Sequence, residues 1–77
     1  MNEKEVLKQL GIKLRRLRKA MGLSLRDIEA RTGVPNTSLS KIERGLKDVE
    51  FLTICKLANG LETTISELTK DLDHGDV

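Results

Sequence analysis

Asn36, Thr37, Ser38, Ser40 and Lys41 stand within six positions of one another near the middle of the chain. Four of them are short, and each carries a hydrogen-bond donor, an acceptor or both. Leu39 and Ile42 fall among them three residues apart, the spacing of one helical face, so the polar groups take the other faces of a short helix. A helix that needs only solubility usually carries Glu and Lys outward. Short hydroxyls and amides suit another task, reaching the edges of bases in a DNA major groove without holding the helix off the groove floor.

Such a helix must be started, stopped and held at an angle, and the surrounding residues supply the signals. Upstream, Ser24 can cap a helix by accepting from an orphan backbone N–H, and Asp27 puts a carboxylate where the helix dipole favours one. Leu25, Ile28 and Thr32 then recur at helical spacing. Gly33 can take the left-handed conformation that ends this helix, and Pro35 loses no hydrogen bond in the first turn of the next. Gly45 closes the second segment. The stretch Gly22–Gly45 therefore reads as two short amphipathic helices with a tight turn between them.

This ordered set resembles the helix-turn-helix of the Cro and lambda-repressor-like family, also called Xre-type regulators. The resemblance rests on Arg18, Gly22, Ser24, Ile28, Gly33, Val34, Ser40, Ile42, Glu43, Arg44 and Gly45, and on the run LTICKLANGLETTISEL, which is similar to the family's fourth and fifth helices. It spans roughly residues 10–68. It implies an all-α, compact five-helix bundle that binds double-stranded DNA and acts as a transcriptional regulator, a dimeric repressor reading a palindromic operator. It also implies an ion pair between Arg18 and Glu43, tying the first helix to the end of the recognition helix. Two positions depart from the family pattern. Leu25 stands where Gln is usual, so a phosphate contact and a brace for the recognition helix must come from elsewhere, and Arg26 beside it is a candidate for the phosphate contact. Glu29 stands where Ala is usual and needs an exit to solvent or a basic partner.

The expected base contacts are Thr37, Ser38 and Lys41. Lys41 has the reach for guanine acceptors, and Thr37 for a thymine methyl or an acceptor. The expected phosphate contacts are Arg26, Asn36, Arg44 and Lys47, helped by the N–H groups at the helix starts. The competing reading of Asn36, Thr37 and Ser38 is first-turn capping. That of Arg44 and Lys47 is an ordinary basic helix end.

Charge supports one polyanion-binding face. Residues 4–47 carry 12 Lys or Arg against 4 Asp or Glu, whereas residues 48–77 carry 2 against 7. No apolar run is long enough for a bilayer and no signal peptide is present, which with a single cysteine points to the cytoplasm. Cys55 sits in a helical apolar pattern and is expected to be a small buried side chain. His74 lies in an acidic stretch with no second ligand nearby. No catalytic set, metal-ligand spacing or phosphate-binding glycine loop occurs, so the reading is not an enzyme, with no cofactor and no metal.

The first helix is expected over about Glu3 to Met21, with a stripe of Leu7, Leu10, Leu14, Leu17 and Met21. Gly11 weakens it by about 1 kcal/mol relative to Ala, which predicts a bend there and a loose N-terminal arm over residues 1–9. A fourth helix is expected over Phe51–Gly60 with Phe51, Ile54, Cys55, Leu57 and Ala58 inward. A fifth opens on the capping box Thr64–Glu67 and runs to near Leu72. Residues 1–72 are expected to form one domain, and 73–77 a disordered acidic tail. The expected core is Leu14, Leu17, Met21, Ile28, Leu39, Ile42, Ile54, Leu57, Leu61 and Leu68. Leu52, Leu61, Ile65 and Leu72 are more apolar residues than helix 5 and its loop need, which suggests a homodimer contact built from helix 5 and the loop before it, through Leu61, Ile65 and Leu72, against the alternative that they close the monomer's own core.

Three other readings remain open from sequence. One is a restriction–modification controller, which the short chain and the ERG-x-K-D run fit. Another is an antitoxin-type regulator, opposed by the lack of a long toxin-wrapping segment. The third is a protein-interaction module that has lost DNA binding. The sequence names no toxin or RNA polymerase partner.

Overall fold

The computed structural model describes residues 1–72; the segment 73–77 lies outside them. Five helices follow in order: α1 (Glu3–Ala20), α2 (Leu25–Thr32), α3 (Asn36–Glu43), α4 (Phe51–Gly60) and α5 (Ile65–Thr69). α1 packs on α3 and α5, α2 on α3 and α4, and α4 on α5. α2, α3, α4 and α5 are each too short to be stable alone, so the shared apolar core is what holds them. That core is Leu10, Leu14, Ile28, Val34, Leu39, Ile42, Ile54, Leu57, Ala58, Leu61 and Leu68. Leu57 and Leu68 are fully enclosed, and each such burial contributes roughly 1.5–3 kcal/mol.

Most of the expected core is there, with shifts at its edge. Leu17 and Met21 are half-buried and pack against the cluster rather than within it, while Leu10, Val34 and Ala58 are buried. Phe51, expected inward, is 67% exposed, because the inward face of α4 starts one turn later at Ile54. Cys55 is half-buried rather than enclosed.

α1 runs unbroken through Gly11, and its first turn is capped by the Asn2 side chain accepting from the Glu5 N–H at 2.9 Å. The loose arm expected over residues 1–9 is therefore helical from Glu3 onward. Gly11 is not a weak point but a point of contact. A Cβ there would lie 2.5 Å from the Ile42 carbonyl oxygen and closer still to that of Glu43. The missing side chain lets the C-terminal end of α3 sit directly on α1. Gly45, at φ +71, continues the same approach, and a Cβ there would meet the Lys8 Cα at 2.8 Å.

α5 stops at Thr69, short of the expected Leu72. The Lys13 ammonium donates to the Glu67 carbonyl at 2.7 Å and to that of Lys70 at 3.3 Å, so a lysine from α1 takes carbonyls at the helix end. At the other end, the Thr64 hydroxyl accepts from the Glu67 N–H at 3.0 Å.

Gly11→Ala adds a better helix former but drives a methyl into backbone atoms. We expect it to destabilise the fold by about 1–3 kcal/mol, measured as the midpoint shift in urea unfolding. A surface glycine in a helix would instead gain about 1 kcal/mol on the same change.

Candidate nucleic-acid interface

The turn between α2 and α3 is built by local hydrogen bonds. The Ser24 hydroxyl accepts from the Asp27 N–H at 3.0 Å, and the Asp27 carboxylate accepts from the Ser24 N–H at 2.8 Å, a reciprocal capping box. These bonds hold the Asp27 carboxyl below the usual carboxylate range. Gly33 ends α2 at φ +79 with its N–H donating to the Glu29 carbonyl at 2.8 Å. The Thr32 hydroxyl donates to the Ile28 carbonyl at 2.7 Å and accepts from the Val34 N–H at 3.1 Å. Pro35 is the residue that caps α3, one position before the first turn, and its carbonyl accepts from the Leu39 N–H at 3.0 Å.

α3 buries Leu39 and Ile42 and turns its opposite side to solvent. Thr37, Lys41 and Arg44, at i, i+4 and i+7, form one exposed stripe, with Ser40 half-buried beside it. The Arg44 Nε donates to the Ser40 carbonyl at 3.3 Å, which sets the arginine over the end of the helix. Arg26 is exposed on α2 and Lys47 on the loop after α3.

The two flanks of the stripe are tethered. On one side the Asn36 Nδ2 donates to Glu29 Oε1 at 2.7 Å. Glu29 was expected to find solvent or a basic partner; it finds the first side chain of α3. On the other side the Lys47 Nζ donates to the Ser38 Oγ at 3.3 Å. Ser38 also lines a polar groove with Gly33, Pro35, Lys47 and Glu50. Thus, among the described residues, Thr37 and Lys41 stand exposed without a side-chain partner on the outer face, whereas Asn36 and Ser38 are engaged by neighbours. Sequence reasoning did not foresee Glu29 as the partner of Asn36. An acidic residue one turn before the helix-ending glycine and an amide opening the next helix were the available signals.

The orientation of α3 is set from α1. Arg18 donates from Nε to Glu43 Oε2 at 2.7 Å and from the Nη2 nitrogen to Oε1 at 2.9 Å, a two-point pair. Its remaining terminal nitrogen donates to the Leu23 carbonyl at 2.9 Å. The two side chains are 12% and 9% exposed, and the hydrogen bonds to Glu43 raise the Arg18 pKa further above its ordinary value.

The residues expected at the dimer contact, Leu61, Ile65 and Leu72, all take part in the monomer's own packing. Leu61 is 5% exposed and belongs to the core, and Ile65 and Leu72 pack half-buried against it. These residues close the monomer. Among the described residues the large apolar side chains left most open are Phe51, Leu52 at 70% and Leu46 at 66%.

A helix-turn-helix family model matches residues 14–68. The chain belongs to the Cro and lambda-repressor-like helix-turn-helix family. It is 33% identical over 70 residues to an uncharacterised HTH-type transcriptional regulator, y4dJ, of Sinorhizobium fredii, covering 91% of each chain. It is 35% identical over 66 residues to the control protein C.MunI of a Mycoplasma species, covering 84% of this chain and 89% of that one. Among solved structures, the restriction-modification controller protein C.AhdI of Aeromonas hydrophila superposes with a TM-score of 0.79 at 35% identity, over 80% of this chain and 94% of that one.

Loss of either partner of the Arg18–Glu43 pair leaves a mostly buried charge alone. Arg18→Ala or Glu43→Ala should cost about 3–5 kcal/mol, and the double replacement Arg18→Leu with Glu43→Leu distinctly less than the sum. Denaturant melts of the four proteins give the cycle.

Proposed function

We propose that the protein is a sequence-specific double-stranded DNA-binding transcriptional regulator, a dimeric repressor that reads a palindromic operator through α3. The observation that carries this reading is the outer face of α3. It holds Thr37, Ser40, Lys41 and Arg44 and no large apolar group, while Leu39 and Ile42 fix the helix to the core. In the proposed complex Thr37, Ser38 and Lys41 contact bases. Arg26, Asn36, Arg44 and Lys47 contact phosphates. No helix among the described residues is long and apolar enough to cross a membrane, and the DNA reading places the protein in the cytoplasm.

One α3 contacts few base pairs, so specificity requires two copies on half-sites about one helical turn apart. Phe51 and Leu52, adjacent and exposed at the start of α4, are the proposed apolar centre of that self-association in place of Leu61.

A second reading has a specific support. Two relatives at 35% identity are a control protein and a restriction-modification controller, which favours a controller role over an antitoxin-type one. A restriction endonuclease or methyltransferase gene beside the coding sequence distinguishes it.

Lys41→Glu should lower affinity for a selected operator by at least about tenfold, since one good base contact carries ~1–3 kcal/mol and the new charge repels phosphate. In a salt titration the logarithm of the binding constant should fall with a slope of about −0.9 per phosphate neutralised, and Lys47→Ala should reduce that slope by about one contact. A protein-interaction module would show neither effect. In sedimentation at micromolar concentration, Phe51→Glu with Leu52→Glu should yield a monomer from a wild-type dimer.

A further inference from the structure

The contact between Glu29 and Asn36 joins the last turn of α2 to the first residue of α3. Both backbones are fixed there. The Glu29 carbonyl accepts the Gly33 N–H that ends α2, and Asn36 follows the capping proline with φ −57. A carboxylate only accepts hydrogen bonds, so it admits one orientation of the amide, nitrogen inward and oxygen outward. An asparagine without such a partner can present either its donor nitrogen or its acceptor oxygen outward. Here one N–H is taken, and among the described residues the other N–H and Oδ1 have no partner. A donor and an acceptor on a single amide match N7 and the N6 amino group of adenine. A phosphate fits poorly, because the Glu29 carboxylate lies 2.7 Å from the donor nitrogen and would repel it.

We propose that Glu29 is a positioning residue for base recognition: it locks the Asn36 amide so that its free donor and acceptor read an adenine. This moves Asn36 from the phosphate-contact set to the base-contact set. It rests on the DNA-binding reading above and deepens it, because it assigns a base preference to one position of each half-site.

The test uses the full chain, a random duplex pool to select bound sequences, and titrations on the selected duplex. Wild type should show an adenine preference at one position per half-site, and 7-deazaadenine there, which lacks the N7 acceptor, should weaken binding. Glu29→Ala should reduce that preference by about five- to a hundredfold, the range of one base contact. Preferences elsewhere and the salt slope should stay unchanged. Asn36→Ala should abolish the same preference, and the double variant should add nothing to it. Glu29→Gln keeps an acceptor and should restore most of the preference. Ala and Gln are both good helix formers, and circular dichroism checks that each variant is folded. The proposal is overturned if Glu29→Ala leaves every base preference intact, or changes affinity equally for all sequences. It is also overturned if Asn36→Ala only lowers the salt slope, which would return Asn36 to the phosphate set. Wild type that binds no duplex would instead refute the DNA reading itself, and this inference with it.

Discussion

The guanidinium of Arg18 holds both carboxylate oxygens of Glu43 and the carbonyl of Leu23 at once, and the direction in which α3 points follows from it. Three parts of the chain meet at that group: the C-terminal half of α1, the α1–α2 turn and the end of α3. A two-point pair this shielded gains Coulomb energy but loses hydration, so its main effect is on geometry. The apolar core alone would let α3 roll, because Leu39 and Ile42 are greasy contacts without direction. Gly11 completes the constraint from below. With no side chain between them, the α3 carbonyls rest against α1, and the pair acts at a fixed spacing.

With the helix held at that angle, the polar face gains definition from its edges. Asn36 is tied to α2 and Ser38 to the loop after α3, so the flanks belong to different parts of the bundle. Between them Thr37 and Lys41 are exposed. The face is thus rigid where it joins the body and adaptable in the middle, where side chains must settle onto a partner.

The helices were largely legible because period and caps agree. Ser24 with Asp27, Gly33 at positive φ and Thr64 each act as their residue types require. What sequence could not convey was direction in space. Gly11 reads as a helix weakness in one dimension and becomes a contact only once α3 is set beside it. Phe51 belongs to the apolar pattern of α4 by spacing, yet it precedes the turn that packs. Leu61 and Ile65 looked surplus because the depth of so small a core is hard to judge from a list of leucines. Glu29 could be flagged as out of place, but its partner was seven residues away across a turn whose geometry a sequence does not give.

The length of α3 has a consequence for addressing. Eight helical residues rise about 12 Å, the height of roughly three to four base pairs at 3.4 Å each. A word that short recurs by chance about once in every 64 to 256 base pairs, while a genome offers ~10⁶ or more competing sites. The information needed to name a single locus therefore cannot reside in one molecule. It must come from the fixed distance between two of them, so whatever surface joins the copies is as much a part of the reading head as the amino acids that touch the bases.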